Sequence, residues 1–171
     1  MKEILMAIAK YNRGANTTLL DTIEKAGPAI ASKPVGIFYK TVLATIQHYL
    51  WYEVSWLARY RALGDYASLR DPLLDEEAEA LKASVGADFA KTAALLRKTD
   101  SIFVAFAEEA RSEDLPKPIR FKNFRGEDQE RLAWQTIFHV LNHSTHHRGE
   151  ISGALDGLGV ANDFAGFYRY L

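Results

Sequence analysis

Apolar residues recur every three or four positions along most of this chain, and turn-forming residues separate the periodic stretches. Over residues 2–25, Ile4, Leu5, Ile8, Tyr11, Ala15, Leu19, Leu20 and Ile23 trace one face of an amphipathic helix that Gly27-Pro28 ends. Gly14 and Asn16 are poor helix formers in its middle. The helix therefore either packs very closely there, the simpler reading, or gives Asn16 a polar task. A second helix is predicted over residues 37–63. Phe38, Val42, Ile46, Tyr49, Trp51, Tyr52, Val54, Trp56 and Tyr60 make it apolar nearly all the way round, the pattern of a helix covered on more than one side. In so short a chain the second covered side predicts a homodimer, with Trp51, Tyr52 and Trp56 in the core or its interface first and as pocket walls second. Glu53 interrupts this helix and needs a partner if buried; Arg59, Arg61 or a residue across the dimer is the expected source.

Residues 67–74 read as a connector, and Asp75-Glu-Glu-Ala opens further helix with its acids in the favourable first turn. Gly86 divides this region from a third long helix over residues 87–111. Pro116-Lys-Pro breaks the pattern, and residues 119–127 alternate apolar with polar, as a short hairpin or extended crossover does. The fourth long helix is predicted over residues 128–158, and the aromatic tail after Asp163 should pack back onto the body. The expected fold is all-α: a four-helix bundle with a long crossover connection and a short C-terminal tail segment, one domain over residues 1–171.

Composition narrows the chemistry. The 171 residues are 48% hydrophobic and 25% charged with a net charge of −1, as in an ordinary globular protein. No basic stripe argues for nucleic acid or an anionic membrane surface. No stretch approaches a membrane span, and the charged N-terminus does not read as a signal peptide. The absence of cysteine excludes disulfides, thiolate ligands and a cysteine nucleophile, and fits a cytoplasmic location.

Four of the five histidines fall within nine residues, at His139, His143, His146 and His147. On a helix His143 and His147 stack one turn apart, a chelating pair, beside an inward stripe of Val140, Ser144, His147, Ile151, Ala154 and Leu158. His139 lies about 12 Å along the axis from His147, too far to share an ion bound at about 2.0–2.1 Å. A third imidazole must come from elsewhere, and His48 is the only other histidine. Alone, His48 would read as a core residue; beside the pair it reads as a third ligand. His48, His143 and His147 then form a three-histidine centre with open positions, the pattern of catalytic rather than structural zinc. Imidazole suits several divalent ions, zinc and nickel foremost. Small or polar neighbours of His48, namely Thr41, Ala44, Thr45 and Ser55, leave room for a cavity. His139 and His146 read as outer or surface residues.

The chain resembles the DinB-like family of metalloenzymes over nearly its whole length. The matching pieces are Tyr11-Asn-Arg-Gly-Ala-Asn, Ile46-Gln-His-Tyr-Leu, Trp56-Leu-Ala-Arg, Phe121-Lys-Asn-Phe-Arg-Gly and, most specifically, His139-Val-Leu-Asn-His-Ser-Thr-His-His-Arg-Gly-Glu. The resemblance implies a four-helix bundle, frequent dimers, and a divalent metal at positions that fall on His48, His143 and His147. It departs from the family where Glu150 replaces a common Gln and Gly14 a common Trp. Glu150 and His146 are candidates to support the ligand histidines, Glu150 by accepting an imidazole N–H; an ion pair between Glu150 and Arg148 or another neighbour competes with that role. The resemblance further implies an enzyme that activates a low-molecular-weight thiol at the metal, for transfer to or isomerisation of a small electrophilic substrate. Two alternatives stand: a hydrolase using metal-bound water, although no Glu follows the first histidine as in helical zinc proteases, and a non-catalytic, stress-related metal or ligand-binding protein.

Overall fold

The computed structural model describes residues 1–123 and 125–171; Phe124, within the stretch predicted to turn, lies outside the described residues. The first periodic segment forms α1, Lys2–Ala26, closed by Gly27 at φ 95°. The next helix, α2, is Val42–Tyr60, so it starts five residues later than the periodicity predicts. Thr41 caps it by accepting a hydrogen bond from the Ala44 amide, and Lys40 just ahead has a left-handed φ of 69°. A cap of that kind fixes the first turn. Residues 33–41 consequently form a loop, held by the Val35 amide donating to the Lys40 carbonyl at 2.7 Å.

Short 3₁₀ turns cover residues 61–75 and lead into α3, Ala78–Val85, and α4, Phe89–Glu109. The predicted fourth helix is two elements. Residues Asp128–Leu132 form a strand, β2, paired antiparallel with β1, Pro118–Lys122, with Ile119 opposite Arg131 and Phe121 opposite Gln129. The helix that follows, α5, is Ala133–Gly157.

Among the described residues the chain thus has five α-helices and one two-stranded sheet, an all-α protein in its main mass. Helix α1 packs on α4 and α5, and α2 packs on α5 and α4. Two apolar clusters result. One is built on Trp56, Leu57, Tyr60, Phe103, Phe106 and Leu141, the other on Leu19, Leu20, Ile46, Leu50, Leu96 and Ile151. Much of the all-round apolarity of α2 is used within the chain, since Trp51 and Val54 are partly buried against both clusters. No helix among the described residues is long and apolar enough to cross a membrane.

The tail returns as predicted. Phe164 is buried, and the 3₁₀ turn Phe167–Tyr170 lays Tyr170 against α1, its hydroxyl 3.1 Å from Thr18 Oγ1. Gly14 is where the ring lands: a Cβ there would stand 2.4 Å from Tyr170 Cδ1. Close packing explains Gly14, and Asn16 has its polar task as well.

Candidate metal centre

Between the two clusters lies a buried polar layer. Asn12, Asn16, Glu53, Asp100, Ser144 and Arg148 are each at most 2% exposed. Arg148 Nη1 donates to Asn12 Oδ1 at 2.5 Å and Asn16 Oδ1 at 2.9 Å. The two amides pass the polarity on: Asn12 Nδ2 donates to Glu53 and Asp100 at 3.0 Å each, and Asn16 Nδ2 donates to Asp100 at 2.9 Å. Ser144 Oγ donates to Glu53 Oε1 at 2.6 Å. Burial raises the pKa of both carboxyls, Asp100 strongly, with the Glu53 charge adding to the effect there. The partners of Glu53 are therefore Asn12 and Ser144, with the Arg148 charge nearby, rather than Arg59 or Arg61. Arg59 bonds Ser55, and Arg61 bonds Leu69 and Asp75.

This layer fixes the rotation of α5, and the histidines sit directly above it. Tyr49, which donates to Asn16 Oδ1 at 3.3 Å, lays its ring parallel to His147 at 6.5 Å. His48 of α2 meets His143 and His147 of α5. The Nε2 atoms of His48 and His147 each lie 3.1 Å from His143 Nε2, and one ligand nitrogen from each ring lies within 4.8 Å of the others. Nitrogens bound to one ion at 2.0–2.1 Å stand about 2.9 Å apart at right angles and about 3.3 Å apart in a tetrahedron, so the rings are spaced as a chelating tripod. The buried His147 is oriented from behind, its Nδ1 2.7 Å from Glu150 Oε2. That contact assigns the proton to Nδ1 and leaves Nε2 a lone pair facing its neighbours. Glu150 thus engages His147, not Arg148, and its other oxygen lies 3.5 Å from Nε2 of the exposed His146.

The electrostatics agree. Burial, and then repulsion from His147 and His48, holds His143 down at about 3, and burial lowers His48. A ring kept unprotonated offers a lone pair to a cation. The donor set fits a divalent ion: three imidazole nitrogens, an oriented ring, and no fourth protein ligand among the described residues.

Tyr39 at the centre escaped sequence reasoning, and Tyr52 reads from the sequence as a core or interface residue first and only second as a pocket wall. Tyr39, which the periodicity placed on a helix, comes from the loop before α2. It stacks on His48 with centroids 4.3 Å apart and meets His147 edge-on at 5.8 Å. Tyr52 packs on His143 at 4.5 Å and places its hydroxyl 3.1 Å from Nε2 of the exposed His139. His139 stays outside the tripod, bonded to Tyr52 and with its ring 6.2 Å from that of His143. A groove of about 600 Å³ opens beside His48, walled by Trp51, Val54, Ala58 and Leu81, with Arg59 and Lys82 at its edge.

The DinB family model matches residues 1–170. The chain belongs to the DinB family. Among curated DinB relatives, the Protein DinB of Bacillus subtilis (strain 168) is 21% identical over 173 residues, covering 100% of this chain and 95% of that protein. No solved structure gives a significant match. Membership of the DinB family and a histidine cluster able to hold a metal ion are thus both in hand.

Proposed function

We propose that this chain is a metal-dependent enzyme that activates a low-molecular-weight thiol for transfer to, or isomerisation of, a small electrophilic substrate. His48, His143 and His147 hold a divalent ion, zinc or nickel, within a single four-helix-bundle domain of a cytoplasmic homodimer. The observation that carries the reading is the tripod itself: the Nε2 atoms of His48 and His147 each 3.1 Å from His143 Nε2, with Glu150 fixing the tautomer of one ring and no fourth protein ligand among the described residues. A structural zinc has four protein ligands as a rule, and a three-ligand centre keeps a position open. A divalent ion there supplies Lewis acidity, lowering the pKa of a thiol or water that reaches it. The chain's own residues supply the rest. Glu150 holds the Nδ1 proton of His147, Tyr39 and Tyr52 cover the rings of His48 and His143, and the groove beside His48 gives access. With no cysteine in the sequence, the thiol comes from a cosubstrate.

Metal stoichiometry tests the centre. His147→Ala should lower bound metal at matched circular dichroism, whereas His139→Ala should leave it intact; the reverse pattern would discard this choice of ligands. For the reaction, metal-loaded protein should conjugate a model electrophile to at least one of a panel of small thiols, with His48→Ala inactive. No turnover across the panel would reject the thiol chemistry and favour hydrolysis or binding.

A further inference from the structure

The sheet and the start of α5 enclose a second groove, on the His139 side of Tyr52, with a volume of about 540 Å³. That lies within the roughly 300–1,000 Å³ of small-molecule sites. Ile119, Phe121, Gln129 and Arg131 share one face of the β1–β2 pair through their register. Ile119 is buried beneath, while Phe121 forms a wall, edge-to-face with Trp56 at 4.8 Å. Trp134 completes the aromatic lining, and Tyr52 and His139, hydrogen-bonded at 3.1 Å, stand at the inner end. The polar lining is one-sided: no carboxylate is among the described residues that line the groove. Arg131 forms no ion pair among the described residues, one guanidinium nitrogen donating to the Glu130 carbonyl at 2.7 Å. Across the sheet, Arg120 takes the Glu130 carboxylate and leaves Arg131 without it.

We infer that this groove binds a planar aromatic carboxylate, its ring between Phe121, Trp56 and Trp134 and its anionic end on Arg131. Edge-to-face aromatic walls favour a flat π-system over an aliphatic chain of equal size. A guanidinium with no competing acid selects a carboxylate, and a groove free of acids repels nothing in it. The inference deepens the reading above by giving the class of the organic substrate and rests on that reading for the groove's role alone, since occupancy needs no metal. Tyr52 links the two, one face of its ring towards His143 and its hydroxyl at the inner end of the groove.

The test uses 1-naphthoate and its neutral analogue 1-naphthamide, titrated calorimetrically into the full chain. Indole N–H resonances of the three tryptophans report position. Naphthoate should bind saturably, shift Trp56 and Trp134 and spare Trp51, and bind about tenfold tighter than the amide, as a charged hydrogen bond gives. Arg131→Gln, at an exposed position, should abolish that preference by weakening naphthoate more than naphthamide. His147→Ala should lose metal yet bind naphthoate like the parent, so failure of the metal centre and failure of the groove are separate results. No saturation, equal affinity for the two probes, or a preference that survives Arg131→Gln would overturn the inference.

Discussion

At the scale of single residues, Glu150 carries the clearest expectation. Its Oε2 stands 2.7 Å from His147 Nδ1 at a half-buried position, the arrangement whose removal costs 10- to 100-fold in metal affinity elsewhere. Glu150→Ala should weaken metal binding by roughly that factor. Glu150→Gln, whose amide oxygen can still accept the imidazole proton, should weaken it less. Competition titration with a chromophoric chelator reads both, and equal affinities for parent and Ala variant would remove Glu150 from the centre. The three histidines were legible in the sequence because helical spacing is a local rule and only one histidine remained to complete the set. Arg148 and Asp100 were not. Nothing local distinguishes a buried arginine from a surface one, and each is stabilised here by Asn12 and Asn16 from more than eighty residues away. The spacing of Asn12 and Asn16, four apart on the apolar side of α1, was the one available signal.

At the scale of elements, α1 and the tail behave as one unit. Alanine normally improves a helix interior over glycine by about 1 kcal/mol, but at position 14 its methyl would meet the root of the Tyr170 ring. Gly14→Ala should therefore lower the melting temperature and expose the tail to proteolysis. Combined with Tyr170→Gly, which removes the ring and the Cβ that the methyl would meet, the same substitution should turn neutral or stabilising relative to Tyr170→Gly alone. Additive effects of the two would show that the ring and Gly14 do not meet. The four long periodic segments were readable because each keeps an apolar face over many turns. The starts of α2 and α5 were not: a single Thr41 cap outweighs the apolar residues ahead of it, and Asp-Gln-Glu-Arg-Leu, made mostly of helix formers, becomes β2 because residues 118–122 supply a ladder.

At the scale of the whole molecule, the histidines make stability depend on pH. His143 is held at about 3 and His48 is lowered from 6.5, so the unfolded chain binds more protons than the fold below 6.5. Their contribution is fully present above 6.5 and is lost as pH falls towards the folded values. Glu53 and Asp100, raised by burial, run the other way: they favour the fold when protonated, below about 4, and that benefit fades as pH rises through their folded values. Between about pH 7.5 and 5 the two sets therefore act in opposite directions, and the variant His143→Gln separates them. Denaturation midpoints of the metal-free parent should fall across that interval relative to those of His143→Gln; parallel profiles in both would exclude His143 as a source. The all-α class was accessible from periodicity, whereas the groove between sheet and helix was not, because its walls come from three separate segments.

The interior Arg148 layer has one further consequence. Sliding α5 by a residue, or turning it, would strand a guanidinium and two acids without their amide relays, so the imidazoles are clamped in place before any ion arrives. An emptied protein should keep its shape, and the cation is a guest in a finished seat rather than the rivet that closes it.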